Sequence, residues 1–203
     1  MNATRPAAEA GPALVLASAS PYRRALLERF QLPFRQRPAD IDEARRPGES
    51  PAELVRRLAR SKAEAVAAVD PGTIVIGSDQ VAVRGEEVLG KPGDAAEAIA
   101  QLTRSAGRHV EFLTAACVLG PGAGGEPEEH IDITRVVFRP LSADEIRRYV
   151  ERETPFDCAG SFRAEALGIA LFERIDSQDP TGLIGLPLIW LAGALRRLGV
   201  EVP

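Results

Sequence analysis

In "LASASPYRR" the hydroxyls of Ser18 and Ser20 stand beside the guanidiniums of Arg23 and Arg24. Ser20 followed by Pro21 has the form of a helix N-cap with proline at the first helical position. Both arginines then fall in the first turn, where free N–H groups already carry about half a positive charge and each further cation costs about a few tenths of a kcal/mol. That cost disappears when an anion docks, because helix N–H groups, hydroxyls and guanidiniums are the donors a phosphate takes.

Two more cations and two carboxylates complete the set. Lys62 lies four residues from both Leu58 and Val66, so it shares the apolar face of its helix. Either its stem covers core while the ammonium reaches solvent, or the ammonium serves a ligand. Lys91 follows a short candidate strand. Glu43 and Asp79 both come after candidate strands, and ligands of α/β sheets gather at strand carboxyl ends. Cations and carboxylates at one edge point to phosphate with a hard metal, and magnesium takes one or two carboxylates, waters and substrate phosphates.

These residues need elements to carry them. "ALVLAS" (13–18) reads as a buried strand leading into the Ser20-capped helix. "FRQRPADIDEARRPGES" reads as a short strand and a proline-rich loop bearing Asp40, Asp42 and Glu43. Ser50, Pro51 and Glu53 form a capping box for a helix whose apolar stripe is Leu54, Val55, Leu58, Ala65, Val66 and Val69. "TIVIGSDQVAV" is a β-branched central strand expected to deliver Ser78, Asp79 and Gln80 at its end. A turn at "RGEE" leads to "VLGKPGD", where Asp94 and Glu97 cap another helix. "HVEFLTAACVL" and "IDITRVVFRP" form a hairpin around the Gly-rich "GPGAGGEPEE". Ser142 with Glu145 opens a helix to about Arg152, "GIALFERI" is a late strand and "LPLIWLAGALRRL" the last helix. Early alternation of strands and helices with a hairpin between them predicts an α/β fold with a mixed sheet, in a single domain from residue 13 to 203 behind a disordered tail of residues 1–12.

Composition narrows the partners. With 25 basic and 29 acidic residues the net charge is −4, so the average surface repels a long nucleic acid and any phosphate binding must be local. Cys117 and Cys158 lie far apart and His109 and His130 are the only histidines, which argues against a disulfide framework or a zinc site and for a reducing compartment. No run approaches the roughly 18 apolar residues of a membrane span, and the apolar run after Arg5 is too short for a signal peptide. A cytoplasmic protein is expected. Gly85 to Lys91 imitate a phosphate-binding loop, but Pro92 replaces the magnesium-binding hydroxyl and Glu86 and Glu87 would repel phosphates.

The ordered set "LASASPYRR", "ADIDE" (39–43), "LARSKA", "IGSDQ" and "GKP" resembles the Maf family of nucleoside triphosphate pyrophosphatases over nearly the whole chain after the tail. The resemblance implies an elongated, twisted mixed sheet flanked by helices, like that of inosine triphosphatases of the Ham type. It also implies cleavage of a nucleoside triphosphate between the α- and β-phosphates with a divalent cation, Mg²⁺ or Mn²⁺. Asp79 would be the proton acceptor for water, Lys62 and Lys91 would be catalytic cations, and Glu43 and Asp79 would hold the metal. Ser18, Ser20, Arg23 and Arg24 would bind the phosphates. The family suggests a homodimer. Ser61 departs from the glutamate many relatives carry before the lysine.

Substrate choice rests on three positions. Relatives acting on dTTP or UTP usually carry Arg after S-P, Thr after the aspartate and Gln in the late glycine-rich loop; this chain has Tyr22, Gln80 and Glu165. That set, with the ending "ALFERIDSQDPTGLIGLPLIWL", resembles the branch that acts on 7-methyl-GTP. Methylation at N7 makes guanine cationic, an aromatic face attracts a cation by about 0.5–2 kcal/mol, and a carboxylate accepts from both donors of the guanine edge. Rival expectations are a dTTP/UTP pyrophosphatase, a phosphatase releasing single phosphates, and a non-catalytic nucleotide-binding regulator of cell division.

Overall fold

The computed structural model describes residues 13–122 and 126–203, so the expected tail of residues 1–12 lies outside the described residues. In chain order the strands are β1 (Leu14–Leu16), β2 (Phe34–Gln36), β3 (Ile74–Arg84), β4 (Glu87–Leu89), β5 (His109–Leu119), β6 (Glu128–Phe138) and β7 (Phe172–Asp176). The helices are α1 (Pro21–Leu27), α2 (Pro51–Val69), α3 (Ala95–Ser105), α4 (Ala143–Glu153) and α5 (Leu188–Arg197). The sheet runs β2-β1-β3-β5-β6-β7, with β4 paired to β3. β1 is parallel to β2 and β3, and the remaining pairs are antiparallel. The mixed α/β sheet expected from the sequence is present.

Local chemistry sets the helix starts. Ser20 accepts from the Arg23 N–H, Ser50 and Glu53 close a capping box, Asp94 accepts from the Glu97 N–H, and Ser142 and Glu145 close a second box. α3 begins at Ala95, beyond Lys91, so the imitation phosphate loop has no helix at its lysine.

β3 departs from expectation in an informative way. Asp79 is not at its end; the strand runs on to Arg84 because β5 pairs with it from Val75 to Val83. On its other edge β1 stops at the Leu16–Ile76 pair and β4 begins only at the Ala82–Leu89 pair. Gly77 to Val81 therefore have no strand partner on that side among the described residues, and the sheet forks there.

Side chains of β3 alternate between two packed faces. Val75, Val81 and Val83 pack with Leu54, Val55, Leu58 and Val66 of α2, while Ile74 and Ile76 pack with Leu188, Leu191 and Leu195 of α5. Gly77 lets α2 come close: a Cβ there would lie 2.1 Å from the Ala59 carbonyl oxygen and 2.8 Å from the Ala63 nitrogen. A backbone obstruction of that kind cannot be relieved by a rotamer change, so the glycine fixes the helix-to-strand spacing.

Three other boundaries differ from the sequence reading. Val69 is exposed, leaving the α2 stripe at its last turn. β6 begins at Glu128 rather than Ile131, inside the segment read as turn. The late strand begins at Phe172, since Leu167–Leu171 forms a 3₁₀ turn. No helix among the described residues is long and apolar enough to cross a membrane.

Candidate active site

The fork in the sheet opens into a cleft of about 580 Å³. One wall is the segment after β1, with Ser18, Ser20, Tyr22 and Arg23. The floor is Asp79 and Gln80, the second wall carries Val88 and Lys91 from β4 onward, and Lys62 and Glu43 close one end. Glu165 lines the far rim beside Asp157 and Cys158. Of the residues given a catalytic, metal, phosphate or specificity role from the sequence, Arg24 alone is absent from the lining.

The two first-turn arginines have different surroundings. Arg23 donates from Nε to the Gly185 carbonyl at 2.9 Å and from Nη1 to Ser18 Oγ at 3.5 Å. Burial pushes its guanidinium below the usual value, against the opposing pull of Asp79 and Glu43. Arg24 turns outward and pairs with Glu28 at 3.0 Å, one turn on and well exposed. The puzzle of cations at a helix N-terminus thus divides: one arginine is answered by its own helix, the other by the cleft.

At the closed end, Lys62 Nζ lies 2.7 Å from Asp79 Oδ1 and 2.7 Å from Glu43 Oε1. Lys62 and Asp79 are each 8% exposed, whereas Glu43 is open to solvent. The ammonium neither snorkels out nor merely covers core; it joins two carboxylates that sequence spacing could only place at the same edge. A buried carboxylate without such a partner would be costly, so the pair is self-consistent before any ligand arrives.

Ser78 and Gln80 face the opposite side from Asp79, toward the turn Gly182–Gly185. Ser78 Oγ donates to the Gly185 carbonyl at 2.9 Å, the oxygen Arg23 also holds. Gln80 Nε2 donates to Thr114 Oγ1, the Gly182 carbonyl and the Leu183 carbonyl, at 2.8–3.0 Å. Its amide nitrogen is committed to the protein, leaving the carbonyl end of the side chain for any ligand. The Ser78 anchor had no sequence signal beyond its place in "IGSDQ".

The donor set suits a hard cation. Among the described residues no group of three His, Cys, Asp or Glu side chains gathers; the two carboxylates that meet at Lys62 are oxygen donors, the kind magnesium takes. The thiols are free. Burial pushes Cys158, on the cleft rim, up to about 11 and Cys117, inside the sheet, up to about 12.

Comparison with known proteins agrees with this architecture. The family described as "Maf-like protein" matches residues 13–198. A 7-methyl-GTP pyrophosphatase of Alkalilimnicola ehrlichii is 53% identical, covering 93% of this chain and 94% of that protein. One from Pseudomonas aeruginosa is 52% identical, covering 95% and 100%. Among solved structures, a HAM1 protein from Coxiella burnetii superposes with a TM-score of 0.50 at 16% identity, covering 92% of this chain and 99% of that one, a likeness of fold. A family match of that extent, on a sheet of the Ham1 kind, makes this chain a member of the Maf family.

Proposed function

We propose that this protein hydrolyses 7-methyl-GTP between the α- and β-phosphates, giving 7-methyl-GMP and pyrophosphate. The observation that carries the reading is the Lys62 ammonium held 2.7 Å from both Asp79 and Glu43 at the end of a cleft that Arg23, Ser18 and Lys91 also line. Relatives at 50–53% identity over nearly their whole length bear the name of that activity.

The residues divide the work. Ser18, Ser20 and Arg23, with the first-turn N–H groups of α1, bind the phosphates; Arg24, outside the cleft, adds only to the local potential. Lys62 and Lys91 neutralise charge that develops on the departing pyrophosphate, which is positioning plus electrostatic stabilisation. Asp79 takes the proton from the attacking water. Glu43 and Asp79 would hold a divalent cation, Mg²⁺ or Mn²⁺, which when bound supplies positive charge against the triphosphate. Tyr22 offers its ring to the cationic base, and Glu165 accepts from the guanine edge. Burial raises the Tyr22 phenol, so it stays neutral at physiological pH and its ring keeps the face a cation prefers. Free thiols fit a cytoplasmic setting.

Initial rates of pyrophosphate release with Mg²⁺ across 7-methyl-GTP, GTP, dTTP and UTP test the reading. A kcat/KM for 7-methyl-GTP at least about tenfold above each other nucleotide supports it, since one such factor is about 1.4 kcal/mol of discrimination. A preference for dTTP or UTP overturns it.

A further inference from the structure

Glu165 stands at the tip of a tight turn, and the means of holding that turn lie in a different element. α4 ends at Glu153, and Thr154, which caps it, adopts a left-handed conformation (φ 46°) that turns the chain toward the cleft rim. From the last turns of α4, Tyr149 and Glu153 grip both flanks of the segment 163–167. The Arg163 N–H donates to Tyr149 Oη at 3.1 Å. The Arg163 guanidinium donates to the Glu153 carbonyl at 2.9 Å and to Glu153 Oε1 at 3.2 Å. The other carboxylate oxygen, Glu153 Oε2, accepts from the Leu167 N–H at 3.1 Å.

One carboxylate therefore ties together the residue two before Glu165 and the residue two after it. The base of the turn is closed as well: a Cβ on Gly168 would lie 2.3 Å from the Arg163 carbonyl oxygen, so the two strands of the turn touch. Arg163 also reaches Asp157 at 2.8 Å, which fixes the neighbouring part of the cleft rim. The Glu153 side chain is 13% exposed, so it works in a partly dry setting where charge-assisted hydrogen bonds hold geometry firmly. Glu165 itself is exposed and lines the cleft.

We infer that Glu153 is a positioning residue for recognition of the nucleotide base: through Arg163 and the Leu167 N–H it sets where the Glu165 carboxylate stands in the cleft. The inference rests on the reading of Glu165 as the group that meets guanine. Glu153 touches neither the phosphate-binding residues nor Asp79, so its effect belongs in base binding and not in the chemical step.

The test is Glu153→Gln, which keeps the shape of the side chain but replaces one acceptor oxygen by a donor, so it cannot accept from both Arg163 and Leu167. On 7-methyl-GTP the KM should rise about 3- to 30-fold, inside the range of coupling between residues in one hydrogen-bond network, with kcat within about twofold of wild type. The inhibition constant of inorganic tripolyphosphate, which has no base, should be unchanged. In a Glu165→Ala background, Glu153→Gln should add less than about twofold to KM, because the residue it positions is gone. Tyr149→Phe, which removes one grip while keeping the ring, should give a smaller KM rise of the same kind and serves if Glu153→Gln does not fold. An unchanged KM in the folded variant, a parallel loss of tripolyphosphate affinity, or effects that multiply in the Glu165→Ala background would each overturn the inference. A wild-type protein inert toward 7-methyl-GTP sinks the functional reading itself and this inference with it; an active wild type with an indifferent Glu153→Gln sinks this inference alone.

Discussion

Lys62 of α2 and Asp79 of β3 meet at 2.7 Å, both buried at one end of a cleft, 17 residues apart in sequence. The meeting depends on Gly77, two residues before Asp79 on the same face of the strand, because only a residue without a side chain lets α2 lie this close. Helix, glycine and aspartate thus form one unit, in which the packing of the core sets the geometry of the polar group.

Removing the ammonium should destabilise the fold. Taken from sequence alone, Lys62→Met relieves a partly buried charge and is expected to keep or slightly raise stability; the structure argues for the opposite sign, since the substitution leaves Asp79 buried without its donor. A loss of about 1–3 kcal/mol is expected, the range for a buried acceptor that loses its partner. The double variant Lys62→Met/Asp79→Asn should recover part of it. Urea unfolding of the wild type, Lys62→Met, Asp79→Asn and the double variant measures both; a Lys62→Met variant as stable as wild type would mean that water replaces the ammonium without cost.

Asp79→Asn should keep the fold and lower turnover of 7-methyl-GTP by about 10²–10⁴-fold, the usual contribution of a positioned general base. Circular dichroism checks the first and steady-state rates the second. Near-normal turnover in the folded variant would remove Asp79 from the proton-transfer step.

Much of this arrangement was legible in the sequence because it is local. Caps at Ser20, Ser50, Asp94 and Ser142 are written in residue type and spacing, and all four serve as read. The apolar rhythm of α2 placed Lys62 on the inner face, and burial there is what the structure gives. What stayed hidden is tertiary. Nothing local says that β5 extends β3 past Asp79, or that β1 and β4 leave the gap between them that becomes the cleft. Arg23 and Arg24 are adjacent and alike, and only the turn Gly182–Gly185, distant in sequence, distinguishes the one that faces the cleft. Gln80 is read as a specificity residue, and only the fold tells that its amide nitrogen is committed to that same turn while its carbonyl end is left for a ligand.

Substrate choice should move with two rim positions. Glu165→Gln sets an amide N–H against a guanine N–H, a mismatch that costs about 1–3 kcal/mol once the bound base covers it. Tyr22→Arg sets a cation against the methylated base. Each should lower kcat/KM for 7-methyl-GTP relative to dTTP and UTP, and the double variant should shift the ratio further than either. Ratios unchanged in all three variants would place base recognition elsewhere.

The thiols give a pH-dependent probe of the cleft. Burial holds Cys158 up at about 11 and Cys117 at about 12, so at pH 8 the thiolate, the reactive form, is scarce at both. Alkylation of the native protein by iodoacetamide should be slow at pH 8 and should quicken about tenfold per pH unit up to pH 10, with Cys158 ahead of the deeply buried Cys117. Bound nucleotide should slow Cys158, which lines the cleft. Rapid labelling at pH 8, read by mass spectrometry, would mean that the rim opens far more than its packing implies.

Phosphorus NMR of the wild-type protein turning over 7-methyl-GTP with Mg²⁺ tests the central claim most directly, because each bond that could break leaves a different pair of products. Cleavage between the α- and β-phosphates gives 7-methyl-GMP and pyrophosphate in equal amounts with no orthophosphate, and that is the predicted spectrum. Orthophosphate with 7-methyl-GDP, or an intact triphosphate after prolonged incubation, would contradict the assignment of the Lys62–Asp79–Glu43 cleft as a pyrophosphatase site.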